Sequence, residues 1–170
     1  MRCYHFTNMY MSPIQHGIQS AHGQMELFIK YKTQSEKKDM LFDWADWHKT
    51  MIVLNAGYDI TMHEVKTFLD NELNPYPWAY FNESTEAMNG MLTNIALILP
   101  EKIYQSAALL RMKRISFTEI SSRDNPLEYE PLVFANINYT EEETSFINSA
   151  CSFSEYEIEL INMLNKFNLA

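Results

Sequence analysis

The residues of this chain best suited to chemistry sit together in Ser12–Lys32, SPIQHGIQSAHGQMELFIKYK. His22 is the first candidate for acid–base work, because imidazole is the side chain that changes protonation near neutrality. Gln19, one helical turn earlier, can orient that ring or bind a substrate oxygen. A structural reading of His22 is also open, in which the ring satisfies a buried backbone group beside an apolar stripe. The start of the segment offers a second kind of chemistry, since the N-terminus of a helix attracts anions. Ser12, Gln15 and His16 in the first turn are the candidates for holding a phosphate, and Tyr10 is an aromatic face for a base. Lys30 and Lys32 are the candidate cations of a local basic groove, with a solvated helix end as the alternative. His16 and His22 stand about 120° apart around a helix and form no metal pair. The sequence has no zinc-type His-x-Glu or Cys-x-x-Cys pattern, so no metal and no cofactor are expected.

These side chains need a helix to carry them, and the local signals supply one. Ser12 is a natural N-cap and Pro13 suits the first helical position. Ile14, Ile18, Ala21, Met25, Phe28 and Ile29 recur at helical spacing and predict an apolar stripe facing a core. Arg2–Met9 reads as a strand leading into that helix. Asp39–His48 predicts a short helix anchored by Trp44 and Trp47, and Thr50–Leu54 a buried strand. Thr61 and Glu64 form a capping-box pattern for a helix reaching Glu72. Trp78–Phe81 predicts a strand, 82–89 a polar loop, Gly90–Leu99 a further strand, and Pro100 opens a helix to Lys113. Beyond it, 115–122 is ambiguous, 124–130 turn-like, 131–138 a candidate strand and 140–143 an acidic turn. Ser154 caps a last helix. The order β-α-α-β-α-β-β-α predicts an α/β fold, a compact mixed β-sheet flanked by helices.

Composition narrows the partners. The chain has 170 residues, 46% of them hydrophobic, which is enough for a real core. Two cysteines, Cys3 and Cys151, are too few for a disulfide scaffold. There is no signal-peptide pattern and no run approaching the ~20 apolar residues of a membrane span, so a cytoplasmic protein is expected. Residues 1–113 carry ten Lys or Arg and twelve Asp or Glu, whereas 114–170 carry three and ten. The expected organisation is therefore a domain over 1–113 and an acidic extension over 114–170, packed on the domain or on a neighbouring subunit. A net charge of −9 opposes extended contact with a nucleic-acid backbone and leaves a small anion as the better partner.

Several stretches, in this order, carry a resemblance. Gln19-Ser20-Ala21-His22-Gly23 follows the first strand, LFDWADWHKTMIVLN leads into the second, and Gly90–Ala96 (GMLTNIA) precedes Leu99-Pro100-Glu101-Lys102-Ile103. Over residues 1–113 the chain resembles the archaeal and eukaryotic-type, or class 2, peptidyl-tRNA hydrolases. That resemblance implies a peptidyl-tRNA hydrolase-like fold, with Gln19, His22 and Thr93 at the site. It also marks two departures. The family's lysine-rich loop before the helix is here Asn8-Met9-Tyr10-Met11-Ser12-Pro13, with no Lys, and its Asp-Ala-Gly segment is Asn82-Glu83-Ser84. Glu83 stands where the family's acidic residue would be, as a catalytic carboxylate or a simple loop carboxylate. Thr93 is either a hydrogen-bond donor at the site or a strand-filling residue.

The preferred expectation is a hydrolase that cleaves a small nucleotide-containing ligand, with His22 as acid/base. Few glycines and many Asn, Met and Tyr give the composition a phage-like character. In that setting a cyclic dinucleotide immune signal is the expected ligand and the host cytoplasm the compartment. Peptidyl-tRNA hydrolysis and non-catalytic sequestration of a nucleotide are the alternatives, and tRNA is disfavoured by the acidic balance. A homodimer or higher homo-oligomer is expected.

Overall fold

A computed structural model describes residues 1–113 and 153–170, with side chains described outside 109–113. The expectations placed on 114–152 lie outside the described residues. By contact the chain divides into two compact units, Met1–Pro100 with Phe167–Ala170, and Glu101–Lys166.

The first unit is a five-stranded mixed sheet with helices on it. Its strands are β1 (Arg2–Thr7), β2 (Met51–Asn55), β3 (Trp78–Asn82), β4 (Leu92–Leu99) and β5 (Asn168–Leu169), in the order β3-β4-β1-β2-β5. β1 and β2 run parallel, Cys3 beside Met51 through Thr7 beside Asn55. That pairing needs a crossover connection, and α1 (Pro13–Lys30) with α2 (Glu36–Asp43) provides it. The other pairings are antiparallel. β4 is buried along its whole length, as a strand covered on both faces should be. α3 (Asp59–Leu69) packs Met62, Val65 and Leu69 inward, and a short α4 (Thr85–Met88) precedes β4. In the second unit, α5 (Glu101–Lys113) and α6 (Glu155–Leu164) are joined by a Lys102 Nζ–Glu157 Oε1 ion pair of 2.6 Å. Ser154 caps α6 in a reciprocal box with Glu157. No helix among the described residues is long and apolar enough to cross a membrane.

α1 has the expected bounds and cap but the opposite orientation. The residues it buries are Gln19, Ser20, Gly23 and Leu27. Ile14, Ile18, Met25 and Ile29 face solvent, 77%, 49%, 60% and 55% exposed, so the apolar stripe points about 180° away from the sheet. The reason lies in the sheet surface beneath. His5, Thr7 and Asn94 project there, and a Cβ on Gly23 would collide with the Asn94 side chain. Around Gly23 small and polar residues fit that close, polar contact, and the one buried aliphatic of α1, Leu27, lies further along against Leu41, Trp44 and Ile98.

Other differences are local. The second helix begins at Ser35, whose side chain caps it, and continues into a π-helical turn, Trp44–His48, ending at Lys49 with φ 54°. Trp44 is buried, with Nε1 donating to the Thr50 carbonyl at 3.0 Å, but Trp47 is 80% exposed and anchors nothing. α3 starts at Asp59, before Thr61, so the Thr61–Glu64 pattern lies inside the helix and caps nothing. A helical turn occupies part of the expected 82–89 loop, and the Asn168–Leu169 strand had no signal of its own.

Two substitutions on α1 test its orientation. Gly23→Ala should destabilise the protein by about 1–3 kcal/mol, because the clash outweighs alanine's higher helix propensity. A Cβ on Gly17 meets nothing within 4 Å, so Gly17→Ala should stabilise by about 0.5–1 kcal/mol. Urea midpoints of the two variants should move in opposite directions.

Candidate functional site

The carboxyl ends of the parallel strands β1 and β2 form the floor of the site. Ala56 N–H donates to the Thr7 carbonyl and Met9 N–H to the Gly57 carbonyl, both at 2.9 Å, so the two strand-to-helix loops are tied together. Gly57 adopts φ 75°, a left-handed turn closed by its N–H on Asn55 Oδ1. Asn8 Oδ1 similarly accepts from Tyr10 N–H at 3.0 Å. On these loops Tyr10 and Tyr58, 66% and 55% exposed, form a tilted pair with centroids 5.7 Å apart.

His16 stands over this floor with its ring held in one orientation. Its Nδ1 lies 2.6 Å from Thr7 Oγ1, whose own proton goes to the Leu54 carbonyl at 3.0 Å. A hydroxyl has one proton to give, so Thr7 accepts from His16 and the neutral ring carries its hydrogen on Nδ1. Nε2 is then left with its lone pair, the arrangement a general base requires.

Gln19, one turn along the same helix, links two distant strand ends. Its Nε2 donates to Glu83 Oε1 at 2.6 Å, and its Oε1 accepts from Thr93 Oγ1 at 2.8 Å. Thr93 reaches it because of an irregularity in β4. Phe81 pairs with Asn94 and Asn82 with Leu92, so Thr93 is the extra residue of a β-bulge. Regular alternation would turn Thr93 to the other face of the sheet, and the bulge brings its hydroxyl to the α1 side. The structure thus gathers Gln19, Glu83 and Thr93. His22 is one turn further on, half-buried against Phe81 with ring centroids 4.4 Å apart, and bonded to none of the three in this arrangement. Its Nδ1 is buried without a hydrogen-bond partner, as are Ser20 Oγ and Asn94 Nδ2.

The remaining sequence candidates are placed differently. Ser12 and Gln15 satisfy each other in a reciprocal capping box, Ser12 N–H to Gln15 Oε1 at 2.9 Å and Gln15 N–H to Ser12 Oγ at 3.4 Å. Those groups are spent on the helix start. Lys30 lies at the far end of α1, about 27 Å from Ser12 along the axis, with Nζ 3.9 Å from the Trp78 ring centroid. Partial burial pushes the Lys30 pKa down, and the Asp70 carboxylate opposes that shift. Lys32 is beyond the helix, and its carbonyl accepts from Lys38 Nζ at 3.5 Å. Neither lysine joins Ser12. Among the described residues no group of three His, Cys, Asp or Glu is placed to hold a metal.

A second constellation, unexpected from the sequence, lies under α1. The Cys3 thiol meets His5 Nε2 at 3.3 Å, and His5 Nδ1–H donates to Asn94 Oδ1 at 3.2 Å. Cysteine, histidine and an orienting amide in this order serve as nucleophile, base and support in some hydrolases. Here burial reverses the chemistry. All three residues are fully buried; desolvation raises the Cys3 pKa and lowers that of His5 to about 4, the Asn94 hydrogen bond opposing the latter shift. Thiol and imidazole are both held neutral, so this is a structural network.

The sequence signal for His16 is Thr7, a hydroxyl at the end of a strand directly before the helix. The signal for the polar floor is the Thr93-Asn94 pair inside an otherwise apolar strand. No protein-family model matches this chain, and no curated protein sequence matches it.

The buried imidazole gives a pH signature. Unfolded His5 takes a proton below its ordinary 6.5, whereas the folded ring does so only near 4. Between those values acid favours the unfolded state, with a total cost of about 3 kcal/mol. Stability from this group is complete above pH 6.5 and falls as the pH drops towards 4. NMR titration should show the native His5 ring protonating near 4, and iodoacetamide should leave Cys3 unmodified until denaturant is added.

Proposed function

We propose that this protein is a hydrolase acting on a small nucleotide-containing ligand at the carboxyl ends of β1 and β2. The observation that carries this reading is the Thr7–His16 pair, which leaves His16 Nε2 free as a base in a fixed orientation. In the proposed reaction a water molecule gives a proton to Nε2 as its oxygen attacks the ester carbon or phosphorus. The bond to the leaving oxygen then breaks, and that oxygen takes up a proton. Gln19, held between Glu83 and Thr93, is the hydrogen-bonding group beside the base, and His22 the second imidazole on that side of α1. The Tyr10–Tyr58 pair offers exposed aromatic surface for a nucleobase. The carboxyl ends of parallel strands are the usual ligand site of α/β sheets.

A divergent, phage-type relationship to the class 2 peptidyl-tRNA hydrolases is part of this proposal. It is supported by the hydrogen bond between Gln19 and Thr93, which joins two of the stretches that carry the resemblance, 74 residues apart. A small ligand such as a cyclic dinucleotide is favoured over tRNA, because Met9–Ile29 contains no Lys or Arg to meet a phosphate backbone. The mutual pairing of Gln19, Glu83 and Thr93 favours a second reading, a pocket that sequesters the nucleotide without cleaving it.

The test is incubation with cyclic and linear nucleotides and with peptidyl-tRNA, followed by chromatography and mass spectrometry. Cleavage products should appear from a nucleotide, and His16→Ala should lower turnover about 10²–10⁴-fold while leaving affinity within a few-fold. His22→Ala measured alongside divides the work between the two rings. Peptide release from tRNA would replace the substrate proposed here. A bound nucleotide recovered intact after denaturation would replace catalysis with sequestration.

A further inference from the structure

We propose that the outward face of α1 is a self-association surface on which a second copy of this chain packs its own α1 antiparallel across a two-fold axis. The face is apolar where a solvent-facing helix should be polar. Ile14, Ile18, Met25 and Ile29 are about half or more exposed, and Ala21 is exposed between them. Phe42 of α2 is 43% exposed and extends the patch, its ring meeting Phe28 edge-on at 5.7 Å. From Ile14 to Ile29 the only formal charge is Glu26. Depletion of charge with exposed aliphatic side chains marks the centre of a protein interface. A helix lying on a lipid surface would carry Lys or Arg along its polar face, and α1 has none before its last turn.

The spacing selects a second copy as the occupant. The large residues are placed symmetrically about Ala21 and His22. An antiparallel α1 from another copy therefore sets Ile14 against Ile29 and Ile18 against Met25, twice each. The crossing falls between Ala21 and His22, where the small, exposed Ala21 lets two helix axes come close, 8–10 Å apart at such contacts. Glu26 falls opposite Gly17, so no like charges meet. One patch that matches itself in this way is what a two-fold, isologous interface requires. The exposed stripe with Phe42 offers roughly 600 Å² per copy, hence about 1,200 Å² in a pair, the lower bound for a stable complex.

Sedimentation equilibrium of the full chain with Cys151→Ser, over about 1–100 µM, should show a dimer. Ile18→Glu and Met25→Glu should each weaken it by about 100-fold or more, with unchanged circular dichroism and thermal midpoint of the monomer. Both positions are exposed, so neither substitution should disturb the fold. In the same background Ala21→Cys should oxidise to a covalent dimer. Ile14→Cys should cross-link only when mixed with Ile29→Cys. A monomer at every concentration, a dimer indifferent to Ile18→Glu, or no cross-link through Ala21→Cys would each overturn the proposal. So would a monomer whose stripe is covered by residues 114–152 of its own chain or binds lipid vesicles.

Discussion

The close approach of α1 to the sheet at Gly23 and Asn94 is the constraint on which the rest of the first unit depends. At Gly23 the helix lies too near the sheet for any side chain, with the polar Gln19 and Ser20 before it, and only further along does Leu27 fill an apolar space. The sheet beneath responds in kind, with His5, Thr7 and Asn94 under the close approach and Ile98 only beyond it. Buried polar groups are tolerable only when they bond to one another. Most of these do, through Cys3–His5–Asn94, Thr7–His16 and Gln19–Thr93. Hydrophobic burial is left to the cluster beyond this layer, where Leu27 meets Tyr31, Leu41, Trp44 and Ile98, and to the opposite face, where α3 lies.

That polar layer grades from sealed to half-exposed along the helix. Its deep end holds a thiol and an imidazole whose geometry suits nucleophilic chemistry but whose burial keeps both uncharged. Its shallow end, where the strands stop, holds His16 with one ring nitrogen engaged and a half-buried environment. The same residue type thus lies fully buried at one end and half-buried at the other. Solvent access, rather than hydrogen-bond pattern, separates the two.

Much of the element order was legible because it rests on local signals. Ser12 and Ser154 cap where expected, the strand-forming stretches of β1, β3 and β4 form strands, and the α/β order follows. What was not legible depends on which partner a face meets. Periodicity shows that α1 has an apolar face but not that this face points outward; only the polar Thr93-Asn94 within β4 hinted at it. The bulge at Thr93 and the π-helical turn at Trp44–His48 are tertiary compromises with no local signature. His16 was read as an anion-binding residue of a helix start. Its orientation depends on Thr7 and on the carbonyl of Leu54 in the neighbouring strand.

The smallest strand has a consequence for how the chain is made. Residues 167–170 belong to the first unit, with Phe167 edge-on to Phe6 at 5.4 Å and Asn168–Leu169 pairing along β2. They arrive roughly 70 residues after β4, some 4–14 s later at ordinary rates of synthesis. For that interval β2 emerges with one side unpaired, an open template for other nascent strands. Once in place, β5 pairs only Leu54 and Asn55 of that edge, and the shortness of an edge strand is itself a guard against further pairing.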